Sequence, residues 1–203
     1  MKIFCVGRNY VDHAKELGSP VPEEPVIFLK PKSAYLQPHM PFYYPEFTNE
    51  LHYEVELVLR VSKNGKYIQE KHASKYYNGI TVGIDFTARD LQQKLKEKGL
   101  PWEISKAWDN SAAVGKFIDI KPGMNLNSIN FCLYNNKELV QQGNSEQMIF
   151  SFDQVVAYIS QFFSLNIGDL IFTGTPAGVG ECVVGDQLEA FIEDDSLLEV
   201  EVK

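Results

Sequence analysis

Basic runs, long apolar runs and paired cysteines are all missing from this sequence. Lysine and arginine total 19 against 27 aspartates and glutamates, a formal charge of −8, and nowhere do the cations cluster. Nucleic-acid backbones are held by concentrated Lys and Arg, so a nucleic-acid partner is excluded. No stretch approaches the roughly 18 uninterrupted apolar residues of a membrane helix, so no membrane partner is expected. The opening residues, MKIFCVGRNY, carry too short an apolar run for a signal peptide. No asparagine has the glycosylation spacing. Cys5, Cys132 and Cys182 are far apart and odd in number, which supports neither a disulfide framework nor a zinc site. They read as reduced thiols, and the protein as cytoplasmic or in another reducing compartment. The dinucleotide and P-loop fingerprints, GxSxG and HExxH are absent as well. The glycines of TGTPAGVG (173–180) match no phosphate loop and read as a structured turn.

What remains is a chain with 44% hydrophobic residues, enough for a real core. Its 203 residues fit one domain, and no repeat or linker divides them. Lys2 to Gly7 reads as a strand, followed by Asn9 as N-cap of a short helix, Tyr10 to Leu17. GSPVPEEP (18–25) is too rich in proline for regular structure. Val26 to Lys30 reads as a short strand, and Pro38 to Pro45 as an extended connection. Leu51 to Val61 alternates as one long strand, and Asn64-Gly65 reads as the turn of a hairpin. Gly79 to Phe86 is a second strand, running into a helix with Thr87 as cap and Asp90 completing a capping box; Gly99 and Pro101 close it. Short strands follow near 112–120, 129–134 and 138–142. Ser151 and Gln154 form a capping box for a helix over 152–163, and the remaining residues alternate strands with glycine turns. Short strands outnumber helices without regular alternation, so the fold class is α+β, dominated by mixed β-sheet.

Two features point to chemistry. Glu54 and Glu56 are i and i+2 on a strand, pointing the same way with Cα atoms about 6.5–7 Å apart. Asp85 ends the apolar strand ITVGID, at the strand end where functional groups gather. Three oxygen donors without a Cys or His companion suit Mg²⁺ or Mn²⁺. The competing reading is a solvated acidic face. His13 and Glu16, at i and i+3 of the first helix, share a face. A carboxylate beside an imidazole fixes its tautomer and raises its basicity, as a general base requires. An ordinary surface pair has the same spacing. His39, His52 and His72 show no such partner.

The strings GRNYVDHAKELG (7–18), EPVIFLKP (24–31), YEVEL (53–57), VGIDFTARDLQ (82–92), GLPWEISKAWD (99–109), MIFSF (148–152) and TGTPAGVG (173–180) resemble the fumarylacetoacetate hydrolase superfamily. They are most similar to its small acylpyruvase and oxaloacetate decarboxylase-type members. The resemblance implies a mixed β-sheet roll with a few short helices, a homodimer, and one catalytic domain over 1–203 with residues 8–25 as a lid. It implies Glu54, Glu56 and Asp85 as metal ligands, His13 and Glu16 as catalytic dyad, and Lys106 as the lysine facing the substrate. Arg89 and Gln92 fall near the leaving group; Arg8 and Thr175 match positions that touch the substrate carboxylate. Larger members add an N-terminal aspartate ligand that has no equivalent in this sequence. The reaction implied is metal-dependent C–C hydrolysis of acylpyruvates or related β-diketo acids through a pyruvate enolate. Oxaloacetate decarboxylation and keto–enol tautomerisation share that intermediate. A non-catalytic metal-binding relative is the alternative of another class.

Overall fold

In a computed structural model of the chain, all residues are described except Leu17 and Ser19. The expected end of the first helix at Leu17, and Ser19 of the following loop, lie outside the described residues.

The largest sheet carries the site. Ile27–Lys30, Ile3–Val6, Leu170–Phe172, Val55–Val61, Tyr77–Asp85, Ala112–Val114 and Tyr35–Leu36 lie side by side, and Ile118–Asp119 pairs with the Tyr77–Asp85 strand. Ile3–Val6 runs parallel to Leu170–Phe172, and Tyr35–Leu36 parallel to Ala112–Val114; the other pairs are antiparallel. A second, antiparallel sheet joins Glu138–Asn144, Asn130–Asn135, Gln187–Ile192 and Asp195–Glu201. A third small sheet places Leu51–Tyr53 between Gly180–Glu181 and Thr87–Ala88. This is the mixed, curled sheet of an α+β protein.

The strand Val55–Val61 is buried on both faces, with only Arg60 partly open. Leu57, Leu59, Val82 and Ile84 join one apolar core with Phe131, Leu133 and the helix Phe152–Phe162. That helix buries Phe152, Val155, Val156 and Ile159, the i, i+3, i+4, i+7 pattern of a one-faced helix. The Ser151–Gln154 capping box forms as expected and satisfies two otherwise unpaired amides at its start. Among the described residues, no helix is long and apolar enough to cross a membrane.

Several local expectations are corrected. The strand expected over 51–61 breaks at Glu54, because the Val55 amide donates to the Gln141 side chain (2.8 Å) rather than to a neighbouring strand. The two halves thereby join different sheets. Asn64-Gly65 closes no tight hairpin: Asn64 accepts from the Ile167 amide (2.8 Å) and Gly65 pairs with Leu165. Residues 62–76, with a short helix at Glu70–Ala73, connect the two strands instead. Asn9 does not cap the Val11–Glu16 helix; its side chain bonds the backbones of Phe150 and Thr173. Thr87 sits in a short strand, not at a helix cap, and its hydroxyl is spent on Asp85 O and Lys106. Asp90 accepts from the Thr48 hydroxyl and from the Asn49 and Leu91 amides.

Candidate metal and acid–base site

The register of the two central strands brings the three acidic residues together. Val55 pairs with Ile84, Glu56 with Gly83, and the Asp85 amide donates to Glu54 O (2.9 Å). One carboxylate oxygen from each of Glu54, Glu56 and Asp85 then lies within 4.8 Å of the other two, and all three residues are buried. The solvated-face alternative therefore does not describe these side chains.

Burial of three carboxylates needs cations, and two lysines enter. Lys106 is 2% exposed, and its ammonium donates to Glu54 Oε2 (2.7 Å), Asp85 Oδ2 (2.8 Å) and Thr87 Oγ1 (2.6 Å). Its ammonium thus sits among carboxylates. Burial opposes its charge, but Asp85 and Glu54 outweigh burial and raise its pKa. Lys30, given no role from sequence, is equally buried, with its Nζ 2.7 Å from Asp85 Oδ1. Its protons are directed to backbone and hydroxyl oxygens: Lys106 O, Ser111 O (2.9 Å) and Ser111 Oγ (3.0 Å). The contact with Asp85 is therefore ionic without an aligned hydrogen bond, and Asp85 Oδ1 stays a buried acceptor with no donor.

The carboxylates are unequally compensated. Burial would raise Glu54, but Lys106 and Arg89 together overcome it and hold its carboxyl well below the usual range. Among the described residues, no cation pairs with Glu56, which accepts from the Gly174 amide (2.6 Å). Burial, then Asp85 and Glu54, push its carboxyl well above the usual range. An all-oxygen donor set, one orphaned buried oxygen and one carboxylate lacking a cation together fit a hard divalent ion.

Above this cluster stands the first helix. His13 Nδ1 lies 3.1 Å from Glu16 Oε2, and His13 is buried. With Glu16 accepting, Nδ1 carries the proton and Nε2 is left as the base. Glu16 Oε1 accepts from the Gly178 amide (3.0 Å), so the carboxylate both orients His13 and docks the helix on the 173–180 turn. Arg89 fans out over three partners: Nη2 to Glu54 Oε1, Nη1 to Gln92 Oε1 (2.6 Å) and Nε to His52 Nδ1 (3.3 Å). His52, expected to lack an acidic partner, has Nε2 3.1 Å from Glu50. Gly7, Arg8, His13, Glu54, Arg89, Gln92, Lys96, Trp102 and Lys106 line one cavity. The space left between them is about 10 Å³, barely one water. Thr175 is not brought to it; its hydroxyl accepts from Gln141 Nε2 (2.9 Å).

The fumarylacetoacetate hydrolase C-terminal family model matches residues 2–203. Mouse mitochondrial oxaloacetate tautomerase FAHD1 is 41% identical over 201 residues, 99% of this chain and 91% of the relative. The mitochondrial oxaloacetate decarboxylase of Dictyostelium discoideum is 42% identical over 192 residues, 94% of this chain and 88% of the relative. Among solved structures, fumarylpyruvate hydrolase from Pseudomonas aeruginosa, in complex with Mn²⁺ and pyruvate, superposes with a TM-score of 0.94. It is 38% identical, over 100% of this chain and 89% of that one. A family match over nearly the whole chain, on this sheet and with these three relatives named as enzymes, leaves one assignment: the chain belongs to the fumarylacetoacetate hydrolase family.

Proposed function

We propose that this chain is a divalent-metal-dependent enzyme acting on oxaloacetate-type 2-keto acids through an enolate at C3. The observation that carries this reading is the convergence of Glu54, Glu56 and Asp85 within 4.8 Å, beside the Lys106 ammonium. Those three carboxylates would hold Mg²⁺ or Mn²⁺, which supplies Lewis-acid stabilisation of the developing oxygen anion. Lys106 adds a fixed positive charge where that anion forms, in a site almost closed to water. His13, oriented by Glu16, takes a proton from C3 in keto–enol tautomerisation; in decarboxylation the C4 carboxyl leaves as CO₂ and the enolate is reprotonated. Arg89 and Gln92, bonded to each other, border the leaving group.

Hydrolysis of an acylpyruvate is the second reading, favoured by the likeness to a fumarylpyruvate hydrolase and by the buried His13–Glu16 pair. There the dyad takes a proton from water, which attacks the C4 carbonyl; the C3–C4 bond breaks and the departing pyruvate enolate takes the proton back at C3. The reading treats 1–203 as one catalytic domain that works as a homodimer, with the dimer resting on family resemblance. Three free thiols fit a reducing compartment, cytoplasmic or mitochondrial, the mouse and Dictyostelium relatives being named for the latter.

The test is direct. The enzyme is given enol-oxaloacetate, oxaloacetate and acetylpyruvate with Mg²⁺, Mn²⁺ or EDTA, against enzyme-free metal controls. At least one reaction should exceed its control with metal and fall to it in EDTA. Metal binding without turnover of any of the three would identify a non-catalytic relative and overturn the proposal.

A further inference from the structure

Four cationic side chains border the cavity: Arg8, Arg89, Lys96 and Lys106. Two are paired with carboxylates. Lys106 bonds Glu54, Asp85 and Thr87, and Arg89 uses three of its five donors on Glu54, Gln92 and His52. The other two are not. Among the described residues, no carboxylate pairs with Arg8 or with Lys96, although both line the same space. Lys96 follows Gln92 by four residues and Arg89 by seven on the Arg89–Glu97 helix, so all three share one face. Partial burial, then repulsion from Arg8 and Arg89, lowers the Lys96 pKa; Glu54 opposes that shift from a distance without pairing with it. Such an arrangement is unfavourable until an anion fills it, and it concentrates anions at the cavity. The cations bonded to the acidic cluster are committed to Glu54 and Asp85; the unengaged pair awaits a negative group from a ligand.

We propose that Arg8 and Lys96 receive the second, distal carboxylate of the substrate, which makes the enzyme selective for 2-keto dicarboxylic acids over acylpyruvates ending in a neutral group. Lys96 is the specificity residue of this subsite. The proposal rests on the reading that the keto-acid end of the substrate lies against the acidic cluster and Lys106. Lys96 is exposed, so the interaction is partly screened and salt-sensitive.

Two measurements test it. In the first, wild type, Lys96→Gln, Lys96→Arg and Lys98→Gln bind malate and lactate in Mg²⁺, followed by tryptophan fluorescence, since Trp102 lines the cavity. Malate and lactate are stable 2-hydroxy analogues that differ in the distal carboxylate. Wild type should prefer malate. Lys96→Gln should reduce that preference by roughly three- to fivefold, the upper scale of one partly screened ion contact. Lys96→Arg should preserve it, and Lys98→Gln, outside the cavity, should leave it intact. In the second, Lys96→Gln should raise KM about three- to fivefold for oxaloacetate but by less than about 1.5-fold for acetylpyruvate, with kcat on oxaloacetate held within about twofold. Equal weakening of malate and lactate, or an effect of the same size from Lys98→Gln, overturns the proposal. A wild type that turns over neither keto acid yet prefers malate to lactate overturns the reading of the reaction and supports this subsite.

Discussion

Lys30→Met offers the sharpest test of how the acidic cluster is held together. The Lys30 side chain is fully buried, and its ammonium lies 2.7 Å from Asp85 Oδ1 while donating to Ser111 O, Ser111 Oγ and Lys106 O. Methionine fills much of the same volume without charge or donors. Three losses follow together. Asp85, itself 1% exposed at its side chain, keeps only Lys106 as a counter-ion. The Ser111 and Lys106 carbonyls lose a buried donor. Lys106, whose carbonyl Lys30 anchors, loses part of what orients the short helix Glu103–Lys106 that carries it. Removing one partner of a buried ion pair costs about 3–5 kcal/mol, because the other charge is left without compensation. For a domain of this size that corresponds to a fall of roughly 6–20 °C in Tm. The assay is thermal and urea unfolding of wild type and variant, each with EDTA and with excess Mg²⁺. The deficit should be largest in EDTA and shrink with Mg²⁺, since a cation beside Asp85 restores the missing charge and binding to the folded state alone adds stability. A loss below about 1 kcal/mol in EDTA, or a deficit that Mg²⁺ leaves unchanged, would refute the assignment of Lys30 as a counter-ion of this site.

His13→Ala should reduce acylpyruvate hydrolysis far more than oxaloacetate decarboxylation, because only hydrolysis needs an activated water; equal factors in parallel kcat/KM measurements would show that the dyad does more than activate water. Amide exchange over residues 8–16 and 20–25 should slow when Mg²⁺ and oxalate are added. The cavity holds barely one water with the first helix docked, so a keto acid enters only if Arg8, His13 or Trp102 moves aside. Protection already complete without oxalate would refute a lid.

Periodicity made the apolar elements legible and left the polar ones obscure. The helix Phe152–Phe162 was readable because its apolar spacing and its capping box are both local. The break at Glu54 was not, since it depends on Gln141, a residue 86 positions away that takes the Val55 amide. Asn9 and Thr87 looked like caps for the same reason that they fooled a local reading: Asn and Thr offer an oxygen to any nearby donor, and here the donors are distant in sequence. Glu54, Glu56 and Asp85 were proposed as a cluster from their spacing and strand-end position, and the antiparallel register sets them side by side. Lys30 escaped because a lone lysine after Ile-Phe-Leu reads as a strand leaving the core. Its one signal was that an apolar run with a terminal lysine must bury that lysine if the strand end faces carboxylates.

The turn at 173–180, which from sequence looked like a mere connection, is where the two halves of the site meet. Its Gly174 amide donates to Glu56 and its Gly178 amide to Glu16, while Thr173 O accepts from the Asn9 side chain. Each of these contacts uses a main-chain group, so they depend on the backbone path rather than on side chains. That path demands glycine at two places. Gly174 and Gly178 have φ of +102° and +97°, in the left-handed region that other residues avoid. A Cβ at 174 would lie 2.6 Å from Asn9 Cβ, and one at 178 would lie 2.7 Å from Val140 O. The first clash would drive the N-terminal segment off the sheet, and with it His13. The second would pull the amide away from Glu16 and leave His13 less firmly oriented. A single glycine turn therefore sets the distance between the acidic cluster and the base, which neither the strand bearing Glu56 nor the helix bearing His13 fixes by itself.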